Sequence, residues 1–339
     1  MVLTKREINI PSTMVYRDKN IITTMLGRAK AKRDAREWFL ARELFMGFLR
    51  SMGAAIAGSK ARVVYSRGQN KIFLSLTIVR AADGKGNMKL FFTDLDNTLI
   101  YSYKNTQVPR EVPVERYEGR EISFMTRSSH KMLQELSRQI PIIPLTTRTK
   151  EQYERLDLGI SFPQALVCNG GVLLSHGKVE EDWRLESRKL VEQARGELQA
   201  ALSFLEKDSR RYFECRLIEE LFIFTKCKEP KAVAEELQRR LDANLAEVRC
   251  QGEKLYVLPL ALSKGQALLR MKRLWEQRGQ EVFCLAAGDS AFDASMLLAA
   301  HQGFGREGMG MEARERIQII GEERIFSEEI LKNLKKLCG

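Results

Sequence analysis

One segment constrains the fold of this chain more than any other, because in it an apolar run ends directly in two acids. The run is Lys89-Leu-Phe-Phe-Thr93, and Asp94 and Asp96 follow it with a single leucine between them. A short apolar run bounded by polar residues is typical of a buried strand. Open α/β sheets bind ligands beyond the carboxyl ends of their strands. We therefore expect both carboxylates to lie at a ligand-binding edge of a sheet.

Further apolar runs alternate with helical patterns after this segment. The predicted strands cover 89–93, 140–145, 165–168 and 282–286, and two of the intervening helices cover 128–138 and 264–278. This alternation predicts βαβ units, and hence an α/β fold built on a doubly wound parallel sheet. Pro144 conflicts with its place in an interior strand, because proline cannot donate a ladder hydrogen bond.

The rhythm changes between residues 182 and 258 to helix, two strands, helix and two strands. This αββαββ order predicts a small antiparallel sheet with helices on one face. We therefore expect an α+β cap domain over 183–258, inserted into a core made of 88–182 and 259–339.

Positive charge is concentrated in the N-terminal quarter. The chain carries a net charge of +12, and residues 1–87 hold 17 Lys/Arg against 6 Asp/Glu. We interpret this part as a basic N-terminal extension, with a helix over 26–57 and a hairpin of 61–65 with 71–79. Nucleic acid is a candidate partner through this extension alone, whereas the commoner alternative is a helix that packs its aromatic stripe on a core. A third hypothesis is that Met88 is the natural start.

Several other classes of protein are disfavoured. No apolar run approaches the roughly 18 to 20 residues of a membrane-spanning helix, and the N-terminus lacks a secretory pattern, so we expect a cytoplasmic protein without a membrane partner. The six cysteines form no C-x-x-C pair, which argues against a disulfide framework or a zinc site.

Three further segments place reactive side chains at strand ends or helix starts. Thr146 and Thr147 end the second run, Lys264 opens a helix after the insert, and Asp289 and Asp293 follow the last run. Taken singly, each has an ordinary interpretation as a cap, a turn or a surface charge. Together they supply what phosphoryl transfer requires, namely a nucleophile, ligands for a cation and donors to the phosphate.

The two acids of the first segment suit different roles in that chemistry. Asp94 can attack phosphorus and form an aspartyl-phosphate. Asp96 can protonate the leaving oxygen and then accept a proton from water. Because these roles need different protonation states, we expect a cation beside Asp94 and a less charged setting for Asp96. Oxygen ligands and a phosphate substrate favour Mg²⁺.

In this order the four segments resemble the motifs of the haloacid dehalogenase superfamily of phosphatases. The resemblance runs from about Met88 to the C-terminus and implies a Rossmannoid core. It implies that Asp94 is the nucleophile, that Asp96 is the general acid/base, and that Thr146 and Lys264 hold the phosphoryl group.

The same resemblance implies the ligands of Mg²⁺. These are Asp94, the backbone carbonyl of Asp96 and Asp289, with Asp293 as a supporting acid. Phe292 stands where many relatives carry asparagine, which leaves the surroundings of the cation open.

The position of the insert narrows the resemblance further. The longest gap lies between Thr146 and Lys264, so the cap falls between the second and third motifs. This resembles the branch that contains sucrose-phosphate phosphatase and phosphomannomutase, and more weakly the hydrolases associated with tellurium resistance.

These features predict a Mg²⁺-dependent phosphatase for a small phosphate ester, such as a sugar or polyol phosphate. A phosphomutase of the same superfamily and a nucleic-acid-associated protein are the alternatives. Candidate substrate contacts stand near the motifs and in the cap: Thr147, Arg148, Asn169, Gly170, Arg211, Tyr212, Lys226 and Lys228.

Overall fold

The computed structural model describes residues 88–338 and the backbone of two strands, β1 (Ser59–Gly68) and β2 (Lys71–Arg80). The chain divides into two compact units, 1–86 and 87–339. Within the first unit β1 and β2 pair antiparallel from end to end, which confirms the predicted hairpin. The predicted helix over 26–57 lies outside the described residues. Among the helices that the structure describes, none is long and apolar enough to cross a membrane.

The second unit is built on five parallel strands in the order β17-β16-β15-β3-β7. Their bounds are β3 (Met88–Thr93), β7 (Ile142–Pro144), β15 (Val282–Gly288), β16 (Gln302–Arg306) and β17 (Ile317–Ile320). Leu90, Phe91 and Phe92 of the central strand β3 are fully buried. Burial on both faces is what a parallel sheet covered by helices on each side requires. The predicted α/β class is therefore confirmed.

Successive residues of β3 pack into different cores, because side chains alternate between the faces of a strand. Phe91 joins one hydrophobic cluster with residues of α1 (Arg127–Leu136) and α8 (Phe326–Cys338). Leu90 and Phe92 join a second cluster with residues of α6 (Lys264–Gln277) and α7 (Ala294–Ala299). The central strand is thus held from both sides, which fixes where its carboxyl end emerges.

The conflict at Pro144 is resolved by the direction of its missing N–H. Leu145 N donates to Thr93 O of β3, so the nitrogen of the preceding residue faces the opposite neighbour. That neighbour is β8 (Gln164–Val167), which meets this segment through an isolated bridge between Leu145 and Leu166, where Thr146 N donates to Leu166 O. The proline therefore faces a strand of a different sheet and leaves the ladder between β7 and β3 intact.

A second sheet was not anticipated from the sequence. Strands β4 (Tyr101–Ser102), β5 (Val112–Tyr117) and β6 (Arg120–Met125) form an antiparallel sheet in the order β4-β6-β5. Glu118 and Gly119 connect β5 to β6 with positive φ angles of 50° and 76°, as a tight hairpin turn requires. We call residues 112–125 the flap hairpin.

The cap confirms the predicted αββαββ order, with its first helix divided in two by a 3₁₀ turn. Its four-stranded antiparallel sheet has the order β11-β12-β14-β13. The elements are α3 (Glu181–Val191), α4 (Arg195–Lys207), β11 (Arg216–Ile218), β12 (Phe222–Lys226), α5 (Pro230–Gln238), β13 (Ala246–Gln251) and β14 (Lys254–Pro259). One face of the sheet packs on α4 and α5. The remaining elements of this unit are α2 (Lys150–Glu154), β9 (Val172–Ser175) and β10 (Lys178–Val179).

Replacement of Phe326 by alanine tests the contribution of the C-terminal helix. Phe326 is fully buried against the core around Phe91. Removal of a buried phenylalanine side chain leaves a cavity, so Phe326→Ala should lower the free energy of unfolding by about 3–5 kcal/mol in denaturant titration. Leu298→Ala is the control, because Leu298 is 54% exposed and its loss should change stability by less than about 0.5 kcal/mol. Equal effects would show that the helix does not pack as described.

Candidate active site

Asp94 directly follows the carboxyl end of the central strand β3 and is buried. Asp94 N donates to Ala287 O of the neighbouring strand β15 at 2.9 Å, so its backbone still belongs to the sheet. The chain then folds back on itself, because Leu95 O accepts hydrogen bonds from the N–H groups of residues 98, 99 and 100. Asn97 has a φ of 56°, a conformation that asparagine tolerates better than most residues. This tight loop presents Asp94 and Asp96 toward different neighbours.

Asp94 forms a buried ion pair with Lys264. Lys264 Nζ lies 2.7 Å from Asp94 Oδ1 and 2.5 Å from Asp293 Oδ1. The side chain of Lys264 is 1% exposed. It reaches this position from the first residue of α6, whose N-terminus is capped by the Ser263 hydroxyl accepting from Gln266 N.

Three carboxylates converge beside this lysine. Asp94, Asp289 and Asp293 each offer an oxygen atom, and these atoms lie within 4.8 Å of one another. Asp289 Oδ1 accepts a hydrogen bond from the Thr98 hydroxyl at 3.3 Å. Asp293 Oδ2 accepts bonds from the backbone N–H and the hydroxyl of Ser290, both at 3.0 Å. The predicted acids of the first and last motifs are thus brought together.

The pKa values of this cluster are shifted because several carboxylates lie close together in a buried site. Burial raises the pKa of Asp94, and the carboxylates of Asp293 and Asp289 add to the effect against the opposing charge of Lys264. Burial and Asp293 raise the pKa of Asp289 to about 7. Burial alone would lower the pKa of Lys264, but the two carboxylates raise it above its ordinary value. The lysine therefore remains a cation among acids.

The oxygen cluster has the chemistry of a site for a hard cation. Mg²⁺ takes oxygen ligands and uses only one or two carboxylates from protein, with water and substrate phosphate completing its coordination. Asp94, Asp289 and Asp293 together offer at least that number of carboxylates, from the segments that follow two neighbouring strands. The side chain of Asp96 is not part of it.

Asp96 instead forms a two-pronged ion pair with Arg148. Arg148 Nε lies 2.8 Å from Asp96 Oδ2, and Arg148 Nη2 lies 2.8 Å from Asp96 Oδ1. Burial would raise the pKa of Asp96, but the hydrogen bonds and charge of Arg148 lower it below its ordinary value. The expectation of a less charged setting for Asp96 was therefore wrong, because a guanidinium that the sequence did not place there faces it.

Thr146 and Thr147 occupy different positions. Thr146 is fully buried, and its hydroxyl oxygen accepts a hydrogen bond from Arg148 N at 3.2 Å. Thr147 lines a cavity together with Asp94, Asp96 and Lys264. Of the two threonines in the second motif, Thr146 is therefore buried and Thr147 lines the cavity.

The cap supplies the opposite wall of this cavity. Gln251, Lys254 and Tyr256 line it from β13 and β14. Arg249 of the same sheet donates from Nη1 to Ala291 O of the core at 2.6 Å. The rings of Tyr256 and Phe292 lie 5.1 Å apart at an angle of 72°, so Phe292 is the principal core residue that the cap contacts here.

A second cavity of about 230 Å³ is also lined by Phe292. Asn169, Glu247, Arg249 and Ser263 line it together with leucines of β14 and the segment after it. Asn169 is 3% exposed, and its Nδ2 donates to Leu262 O at 2.9 Å. Because both cavities share Phe292 and the same cap sheet, they are two parts of one cleft.

Gly170 has a packing role in the structure. Its φ is +86°, and a Cβ atom there would lie 2.3 Å from the Cβ of Ala267 in α6. Its carbonyl oxygen accepts a hydrogen bond from the indole N–H of Trp183 at 3.0 Å. Glycine is therefore required by backbone conformation and by the close approach of α6.

The cap residues named from the sequence lie outside the lining of both cavities. Arg211 donates to the carbonyl oxygens of Leu205 and Phe213 within the cap, and the Tyr212 hydroxyl donates to Glu253. The lining residues Gln251, Lys254 and Tyr256 were missed instead. Their strands were predicted, but β14 is buried along almost its whole length, so no alternation of exposed and buried residues marks the face that meets the cleft.

Comparisons with known proteins agree with this fold. The family model described as sucrose-6F-phosphate phosphohydrolase matches residues 87–304. A comparison with curated protein sequences found no match.

Solved structures resemble the chain at low sequence identity. The sucrose-phosphatase of Synechocystis, solved with sucrose and phosphate, is 14% identical with a TM-score of 0.51, and the match covers 74% of this chain and 98% of that one. A phosphatase of the haloacid dehalogenase superfamily from Bacteroides thetaiotaomicron is 16% identical with a TM-score of 0.47, over 76% and 97% of the two chains. The trehalose-6-phosphate phosphatase of Aspergillus fumigatus is 16% identical with a TM-score of 0.43, over 73% and 93%.

At 14% identity the Synechocystis structure supports only the fold. The family model covers more than half of the sequence and therefore supports membership of the family. The chain belongs to the sucrose-6F-phosphate phosphohydrolase family of the haloacid dehalogenase superfamily, and it is accordingly a phosphatase that acts on phosphoric monoesters.

Proposed function

We propose that the chain hydrolyses the phosphate ester of a sugar with Asp94 as the covalent nucleophile. The observation that carries the proposal is the contact of Asp94 Oδ1 with Lys264 Nζ at 2.7 Å, at the end of the central strand and on the wall of a cleft. A lysine there can hold a phosphoryl oxygen while the carboxylate faces phosphorus. The family supports a phosphatase, and this geometry supports the choice of nucleophile.

The reaction has two halves. In the first, an oxygen of Asp94 forms a bond to phosphorus while the bond from phosphorus to the sugar oxygen breaks, and Asp96, which must take up a proton in the substrate complex, passes that proton to the sugar oxygen. In the second, water attacks phosphorus, Asp96 takes a proton from it, and Asp94 is released with inorganic phosphate. Lys264 carries positive charge beside the phosphoryl oxygens in both halves, and Thr146 and Thr147 offer hydroxyl groups from the facing strand end.

We propose further that Mg²⁺ binds at Asp94, Asp289 and Asp293, with the backbone carbonyl of Asp96 as an additional ligand. The convergence of three carboxylate oxygens within 4.8 Å supports this assignment. When bound, the cation neutralises charge on the phosphoryl oxygens. It would also offset the burial and the repulsion between carboxylates that raise the pKa values of Asp94 and Asp289.

The sugar would occupy the cleft between the core and the cap, which we place at 183–258. The 230 Å³ cavity lined by Phe292 supports this proposal, because its lining combines polar groups with an aromatic ring. Sites for small molecules commonly pair an apolar wall with a few polar groups. Gln251, which faces the catalytic cavity from the cap, is positioned to bind a sugar hydroxyl.

Replacement of the nucleophile should abolish phosphate release. Asp94→Asn keeps the size of the side chain but removes the attacking carboxylate, so turnover of p-nitrophenyl phosphate should fall by about four orders of magnitude or more. The measurement is steady-state phosphate release. Asp157→Asn is the control, because Asp157 is exposed and its Oδ1 accepts only from Gly159 N at 3.0 Å, a bond that asparagine preserves. Substantial turnover by Asp94→Asn would refute the mechanism.

Binding of Mg²⁺ should stabilise the wild-type protein through the acid cluster. At a concentration about a hundred times its dissociation constant, Mg²⁺ should add about 2.7 kcal/mol and raise the Tm in a thermal unfolding experiment. Asp289→Asn should remove most of this increase, whereas Asp157→Asn should retain it. A full Mg²⁺-dependent increase in the Asp289→Asn variant would place the cation elsewhere.

The cap side of the cleft should affect binding more than chemistry. Gln251→Ala should raise the KM for the best sugar phosphate in a substrate screen by about threefold to tenfold, with little change in kcat, because a hydrogen bond worth about 1 kcal/mol is lost from the ground state and transition state alike. The KM for p-nitrophenyl phosphate, which lacks sugar hydroxyls, should stay unchanged. Gln277→Ala, at the exposed end of α6, is the matched control. An equal change in KM for both substrates would argue against a sugar contact.

A further inference from the structure

The guanidinium of Arg148 has all its donors engaged by protein. Beyond its two bonds to Asp96, it donates from Nη1 and Nη2 to the two carboxylate oxygens of Glu115, both at 2.9 Å. Nη1 also donates to Gln152 O at 3.2 Å. An arginine has five N–H donors, and these contacts use all of them. Arg148 therefore has no donor left for the substrate anion that its sequence position suggested.

Glu115 fixes the far side of this guanidinium. Its side chain is 1% exposed, and it also accepts from the Ser123 hydroxyl at 2.6 Å and from Arg155 Nε at 3.2 Å. Glu115 points inward because β5 carries an irregularity in register on each side of it, so that Val114 and Glu115 are both buried although they are adjacent. A bulge commonly redirects a side chain in this way next to an active site.

A buried ion pair of this kind is weak evidence for stability, because desolvation offsets much of the Coulomb attraction. Its definite effect is on geometry. A guanidinium held by two bonds to Glu115 has a fixed plane, and two further bonds from it fix the plane of the Asp96 carboxylate. Among the described residues Arg148 is the hydrogen-bond donor to the Asp96 side chain, so it is the contact that restrains the rotation of the carboxylate.

We propose that Arg148, anchored by the buried Glu115, is a positioning residue that aims the Asp96 carboxyl group at the leaving oxygen. This inference rests on the proposed function, in which Asp96 transfers protons. In the first half of the reaction the Asp96 proton passes to the leaving oxygen as its bond to phosphorus breaks. The carboxylate so formed stays aligned by Arg148 until it accepts a proton from water in the second half. The flap hairpin, through Glu115, thus takes part in the reaction without touching the substrate.

A comparison of two leaving groups separates positioning from a merely structural role. p-Nitrophenol leaves readily as an anion and needs little proton donation, whereas unsubstituted phenol needs more. The ratio kcat/KM reports only the steps up to departure of the leaving group. Arg148→Ala should therefore lower kcat/KM for phenyl phosphate by about tenfold to a hundredfold, while the value for p-nitrophenyl phosphate changes by less than about threefold. Because Arg148 also lowers the pKa of Asp96, its removal would favour the protonated acid, so a gain in kcat/KM for phenyl phosphate would overturn the positioning role.

Three further variants make the comparison specific. Asp96→Asn should show the same selectivity to a larger degree. Arg148→Lys, which keeps the charge but lacks the planar fork, should restore little of the loss. Arg155→Ala is the matched control, because Arg155 contacts Glu115 but forms no bond to Asp96, and its ratio between the two substrates should equal that of the wild type.

If Arg148→Ala does not fold, as judged by circular dichroism, Glu115→Gln replaces it and should show the same selectivity more weakly. Equal losses for both substrates in the folded variants, or full rescue by Arg148→Lys, would overturn the positioning role while leaving Asp94 as nucleophile. A wild-type protein that hydrolyses neither compound would contradict the proposed function itself.

Discussion

The site depends on the ion pairs that the ammonium group of Lys264 forms with two buried carboxylates. This ammonium group lies between the carboxylates of Asp94 and Asp293 and joins three segments that are far apart in the sequence, namely the ends of β3 and β15 and the start of α6. Removal of one partner from a buried ion pair typically costs about 3–5 kcal/mol, because a charge remains uncompensated. The same contact brings together the acids that suit a cation. The same ion pairs therefore hold these segments together and bring the acids of the site into place.

Two carboxylates that stand one residue apart acquire opposite environments from this arrangement. Asp94 is buried among other acids, which raises its pKa, while Asp96 meets Arg148, which lowers its pKa against the effect of burial. The proposed nucleophile must be ionised, and a cation bound among Asp94, Asp289 and Asp293 would lower the pKa of Asp94 accordingly. The unequal surroundings come from different parts of the fold, since Arg148 itself is fixed by Glu115 of the flap hairpin.

Local sequence pattern could predict the parts of the site that come from strand ends. The apolar run before Asp94 and the runs before Thr146 and Asp289 each specify a buried strand, and parallel strands present their carboxyl ends at a common edge. The flap hairpin was not predictable in this way, because Pro113 and the bulge at Glu115 break the alternation that marks a strand. The cap strands were recognised, but which of their residues face the cleft depends on packing against Phe292, which no local pattern contains.

The most direct test of the central claim is a crystal structure of the protein with Mg²⁺ and beryllium fluoride, which mimics a phosphoryl group on a carboxylate. We predict beryllium fluoride bonded to an oxygen of Asp94 and in contact with Lys264 Nζ, with Mg²⁺ among Asp94, Asp289 and Asp293. An adduct on a different residue, or a cation bound away from these three acids, would contradict the account.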